Sequence, residues 1–187
     1  MSKVITFSRT FPAYHPKAGQ LTHFVNKIIN GLTEMNFNFD DGNFPAWNED
    51  FCNNLNFATT NTKFHTIRSG NRWKVGDKFS PRVWGTDINP VSGRSGPYHS
   101  KQIIIAPDIE IKKVWDIEFR IDPFLPPEEA VLLLKVDGHY MTPEIYIPMM
   151  AKNDGLTLDE FINWFTPKPE MVNFSGQIIC WNENINY

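Results

Sequence analysis

The chain has 187 residues, the size of one domain with long loops, and its 41% hydrophobic and 21% charged content is an ordinary globular balance. Aromatics at 14%, with 15 Phe and 6 Trp, supply a core, while 14 Pro and 11 Gly spread along the chain exclude a long-helix bundle and point to many short strands. The net charge of -3 does not point to nucleic acid, but it is uneven: between Thr60 and Lys101 eight basic residues (Lys63, Arg68, Arg72, Lys74, Lys78, Arg82, Arg94, Lys101) meet only Asp77 and Asp87. That asymmetry suits either a solvated basic face or a site for phosphate or another anion.

No apolar run reaches the roughly 20 residues a bilayer-spanning helix needs, and Met1 to Thr10 lacks a signal-peptide pattern, so a cytoplasmic protein without a membrane partner is expected. Cys52 and Cys180 form no C-x-x-C pair and read as packing residues. The histidines lack ligand spacing, so neither a metal nor a cofactor is expected.

In chain order, Lys3 to Ser8 has the β-branched and aromatic character of a first strand, ended by Pro12 and Pro16. Leu21, Phe24, Val25, Ile28 and Leu32 repeat at helical spacing and predict a helix over Gly19 to Leu32, with His23 on its exposed flank. Glu34 to Asn61 has no stable period and reads as a loop whose Phe37, Phe39, Phe44 and Trp47 pin it to the body or line a cleft. Phe64 to Ile67 reads as a strand, Val75 to Asp77 as a turn, and Lys78 to Trp84 as a second strand placed at an edge by Pro81, the two making a hairpin-like unit. Gly85 to Ser100 is a long Gly- and Pro-interrupted connection of the kind that serves as a lid, followed by a strand over Gln102 to Ala106. Trp115, Ile117, Phe119 and Ile121 alternate with charged residues, the pattern of a half-buried strand. Ala130 to Val136 fits a buried strand or a short helix, ending at Asp137-Gly138. Thr157 and Glu160 make a capping box for a helix that buries Leu158, Phe161, Ile162 and Phe165 and ends at Pro167 and Pro169, before a final strand over Phe174 to Trp181.

The chemistry concentrates in K-F-H-T-I-R-S-G-N-R-W-K-V-G-D, from Lys63 to Asp77. Lys63 and Thr66 fall on opposite faces of a straight strand, so they meet only if Lys63 comes from the turn at Asn61 and Thr62. Thr66 and Arg68 then share a face. A threonine hydroxyl becomes a nucleophile when a base takes its proton, and a buried lysine with a lowered pKa is such a base. A carboxylate beside it completes a set sufficient for amide hydrolysis. Arg68, Arg72 and Lys74 around Trp73 suit a stacked base with a phosphate nearby, and Arg94, Tyr98 and His99 are placed on the lid. His15 and Lys17, between two prolines, are candidates for the same cleft.

Thr6-Phe7, then K-F-H-T-I-R, then K-V-G-D-K-F, then N-D-G-L-T-L-D-E-F before a closing strand resemble, in the same order, the ASCH domain of the PUA-like superfamily. The spacing is most similar to small amidohydrolases that remove acyl groups from cytidine derivatives. The resemblance implies an α+β fold, a small, mostly antiparallel β-barrel with flanking helices, as one domain over 1–187 with inserted loops at about 34–60, 85–100 and 123–146. Carried over by motif position, it implies Lys63, Thr66 and Asp154 as catalytic residues and Arg68 as the motif arginine. The family acid is usually Glu; Asp154 is one methylene shorter, so the backbone has to carry its carboxylate closer.

Three functions are therefore in view. The leading expectation is binding of a nucleoside, nucleotide or RNA in a basic cleft at Lys63 to Lys74, with Arg68, Arg72, Trp73, Lys74, Arg94 and His99 as ligand-binding residues. The second is an amidohydrolase acting on N-acylated nucleosides through Lys63, Thr66 and Asp154. The third is a protein-interaction module on an inactive barrel, presenting aromatics of Glu34 to Phe57.

Overall fold

A computed structural model describes residues 3–40, 61–121, 132–166 and 173–187. Phe44, Trp47, Cys52, residues 123–131, Pro167 and Pro169 lie outside these, as does most of the proposed aromatic interaction surface.

Among the described residues, nine strands fall into two sheets. In the first, β1 (Lys3–Phe7) runs parallel to β3 (Lys78–Trp84), which pairs antiparallel with β4 (Gln102–Ile104) and β5 (Ile109–Glu110). In the second, β2 (His65–Ser69), β9 (Asn173–Cys180), β6 (Lys113–Ile121), β7 (Leu132–Val136) and β8 (His139–Met141) lie side by side, all antiparallel. The helices are α1 (Phe24–Glu34), α2 (Pro143–Asn153) and α3 (Leu158–Phe165). The fold is α+β, but the expected closed barrel is overturned: the described strands form two open sheets, and β2 pairs with β9 but not with β1. Where a ladder would close the barrel, the Arg68 side chain crosses the gap and its Nη2 donates to Thr6 O at 2.9 Å. A side chain in the seam keeps two backbones too far apart to pair.

Other local expectations shift for identifiable reasons. The first helix starts at Phe24 rather than Gly19, because Thr10 bridges to Leu21 and Phe11 N–H bonds Gln20 O; Leu21 is left 54% exposed. Pro81 sits in a strand paired on both sides, not at an edge. Its missing N–H falls between the part of β3 paired with β5 and the part paired with β4, so no ladder bond is lost there. The segments β2 and β3 do not form a hairpin but belong to different sheets. The alternation of β6 is borne out, with Ile117 and Phe119 buried and Asp116 and Arg120 exposed. Leu132–Val136 is a strand, closed to β8 by the turn at Asp137 and Gly138.

The segment before β2 is lashed to three elements. Lys63 N–H donates to Lys27 O of α1, Phe64 N–H donates to Asn153 O of α2, and Phe64 O accepts from Trp181 N–H just past β9. Backbones approach so closely here that a Cβ on Gly31 of α1 would stand 2.5 Å from Lys63 O. Gly31→Ala is therefore expected to lower unfolding stability by about 2 kcal/mol, read as a reduced urea midpoint at unchanged m-value.

Candidate active site

The bend needed to bring Lys63 and Thr66 together is present. Lys63 precedes β2, held by its own N–H to α1, while Thr66 lies within the strand. Lys63 is 1% exposed, and its ammonium lies 4.2 Å from the Phe24 ring centroid. It donates to the carbonyl oxygen of Asp154 at 2.8 Å and to Asp154 Oδ1. Asp154 is equally enclosed, at 5% exposure.

The shorter acid reaches the lysine because of how α2 ends. Asp154 is the C-cap, Gly155 follows at φ 74°, Gly155 N–H bonds Lys152 O, and Leu156 N–H bonds Ala151 O, which is a Schellman turn. This turn delivers both the carbonyl and the carboxylate of Asp154 to one ammonium. A Cβ on Gly155 would meet Lys27 Cδ at 3.0 Å, Thr62 O at 3.1 Å and Lys63 Cβ at 3.3 Å, so the cap is seated directly on the lysine stem.

Electrostatics follow from burial. Loss of water pulls the Lys63 ammonium down from its ordinary value to about 8, with Asp154 holding it up and Arg68 and Lys27 lowering it further. Burial likewise raises the Asp154 carboxyl, against the pull of Lys63, Arg68 and Lys27. Arg68 is lowered by burial, with Asp154 opposing. A lysine with so low a pKa is partly neutral near physiological pH, the state a general base requires.

Lys63, Thr66, Arg68 and Asp154 all line one cavity of about 260 Å³ that opens at the seam between β1 and β2. Its apolar wall is Phe7, Phe24, Trp84, Trp164 and Phe165. Among the described residues no hydrogen bond links Thr66 to Lys63 or Asp154. Arg68 Nε is buried without a hydrogen-bond partner. A larger groove of about 630 Å³ lies elsewhere, beside Glu34, Asp108, Glu110 and Glu183, but none of the four residues faces it, so chemistry rather than size locates the candidate site.

The other expected ligand residues are not gathered there. Trp73 is 2% exposed, its backbone N–H bound to Gln177 Oε1, so its ring is not free to stack a base. Arg72 and Lys74 are exposed outside the cavity. Arg94 is exposed and His99 Nδ1 lies 3.3 Å from Ser92 Oγ; of their loop, Pro97 lines the cavity and Tyr98 packs on Trp84 with ring centroids 5.4 Å apart. His15 stacks on Phe11 and lies 3.2 Å from Glu160 O, and Lys17 pairs with Glu160 at 2.9 Å, so both brace α3. Sequence reasoning assigned no site role to the aromatic wall. Phe24 and Phe165 were visible only as helix-stripe residues, and nothing local marks Trp84 or Trp164.

No protein-family model, curated protein or solved structure matches the chain.

Asp154→Asn should cost about 3 kcal/mol of unfolding stability at neutral pH, because it leaves a buried ammonium without its counter-charge. It should also move the Lys63 titration below the parent's value of about 8, since Asp154 is what holds it up. Denaturant titration and side-chain NMR would measure the two effects.

Proposed function

We propose that the seam cavity is an amidohydrolase site acting on the acyl amide of a nucleoside, in a chain whose motifs are related to those of ASCH-domain amidohydrolases. The observation that carries this reading is the buried Lys63–Asp154 pair opening onto the cavity that Thr66 also lines. Neutral Lys63 takes the Thr66 hydroxyl proton as the oxygen attacks the amide carbonyl. The C–N bond then breaks, the Lys63 ammonium returns the proton to the leaving amine, and water, activated by the same lysine, hydrolyses the threonine ester. Asp154 orients the lysine throughout. The unpartnered Arg68 Nε–H supplies a donor for the developing oxyanion. Thr66 and Lys63 have to close on one another when substrate fills the cavity, as catalytic hydrogen bonds often do.

The ligand class is supported by the aromatic wall, which suits a planar base, and by size, since about 260 Å³ is room for a single nucleoside rather than a duplex. Exposed Arg72 and Lys74 support a nucleotide or RNA strand as the carrier of that base.

Incubation of the purified protein with a panel of N-acylated nucleosides should release free nucleoside, and Lys63→Ala and Thr66→Ala should each reduce the rate at least about 100-fold. A base is active when deprotonated, so the rate should climb with pH through about 8, the Lys63 value. A parent protein that releases nothing from any member of the panel sinks the reading. If RNA carries the substrate, its affinity should fall with added salt, and Arg72→Gln with Lys74→Gln should flatten that dependence by about two phosphate contacts.

A further inference from the structure

A buried network behind the site takes no part in the proposed reaction. His65 is fully buried, with Nε2 3.0 Å from Met150 O and 3.8 Å from Asp154 Oδ1. Its Nδ1 lies 3.0 Å from the Tyr187 hydroxyl, which accepts from Asn153 Nδ2 at 2.9 Å. A carbonyl only accepts, so Nε2 carries the proton and Nδ1 presents a lone pair; the Tyr187 hydroxyl then donates to Nδ1. Each of the three contacts, Asn153 to Tyr187, Tyr187 to His65 and His65 to Met150, thereby joins a donor to an acceptor. In the opposite tautomer, the Nε2 lone pair would face the Met150 carbonyl and the Asp154 carboxylate, both in the last turn and cap of α2. Negative partial charges would be turned on the element that carries the acid.

We infer that Tyr187 is a positioning residue for the site: by donating its hydroxyl proton to His65 and accepting from Asn153, it ties the His65 ring to the end of α2 and keeps the Asp154 cap seated on Lys63. This rests on the reading of Lys63 as base and Asp154 as its orienter. Tyr187 does not line the cavity, so it acts through His65 and Asn153 rather than on substrate. Its ring is held independently of its hydroxyl, against Trp115 with centroids 5.0 Å apart, and Lys113 Nζ fixes the preceding Ile185 O at 2.7 Å and Asn186 Oδ1 at 2.6 Å. Removal of the hydroxyl alone therefore isolates its role. Burial and the neighbouring Lys63 push the His65 imidazole down to about 3, so across the working range Tyr187 bonds a neutral ring whose tautomer Met150 O already sets. The charged groups that face Lys63 are Asp154 at the end of α2, Arg68 on β2 and Lys27 on α1.

The test is ¹⁵N NMR of the His65 ring and titration of the Lys63 side chain in the parent and Tyr187→Phe, alongside turnover. The parent should show one tautomer, protonated at Nε2. In Tyr187→Phe the ring should stay protonated at Nε2 while the Nδ1 signal shifts on losing its donor, the Lys63 midpoint should fall by about half a unit or more as Asp154 loosens, and kcat should drop about tenfold with KM unchanged. A merely structural role would lower the unfolding midpoint and leave the Lys63 titration in place. A parent-like Lys63 titration in Tyr187→Phe overturns the inference, whatever happens to turnover. If that variant does not fold, Asn153→Ala, which keeps the tyrosine but frees its oxygen, should shift both signals the same way by less, and unshifted spectra there overturn it equally. Should no acylated nucleoside be turned over, the proposed reaction fails, while the two NMR readings still decide the role of Tyr187.

Discussion

A lysine ammonium taken out of water needs a counter-charge in contact with it, and at Lys63 that requirement governs how the surrounding elements meet. The backbone at Lys63 and Phe64 is bound to α1, to α2 and to the end of β9, which leaves the side chain a single direction. In that direction stands the cap of α2, whose Schellman turn spends one glycine in a left-handed conformation to present a carbonyl and a carboxylate together. Helix termination and charge compensation are thus the same piece of structure. A pair so dry adds little to stability by itself; what it fixes is an amine of lowered pKa at a defined point.

The same strand edges explain why a cavity exists there at all. Had β1 and β2 paired, their backbones would have closed over the space that Thr6, Phe7, Thr66 and Arg68 now line. The guanidinium of Arg68 satisfies one backbone oxygen of the β1 edge, so the gap is not a row of unpaired groups, and the rings of α1 and α3 cover its apolar side. The unmade ladder is what leaves the cavity open.

What could be read from the sequence was what depends on near neighbours. The α1 stripe, the alternation of β6 and the Thr157–Glu160 capping box are periodic or short-range signals, and each is present. The helix α2 was not foreseen, since Pro143 and Pro148 suggest a break; Pro143 occupies the first turn, where no N–H is needed, and Pro148 lies on the exposed side. Trp73 looked like a stacking platform because its flanks are basic, yet Gln177, 104 positions away, binds its backbone and its buried ring meets Phe79 edge-on. Asp154 was legible, through the motif order, as an acid, and the structure makes it the C-cap of α2 as well. His65 carried no signal, because its partners lie 85 and 122 positions along the chain.

The Lys63–Asp154 contact spans 91 positions. Loop closure over such a distance is slow and comes after local helices and hairpins have formed. Until then Lys63 is solvated and fully protonated at neutral pH, an ordinary cation. The lowered pKa is acquired only when these long-range contacts form, which makes the acidity of one amine a report on the completion of folding.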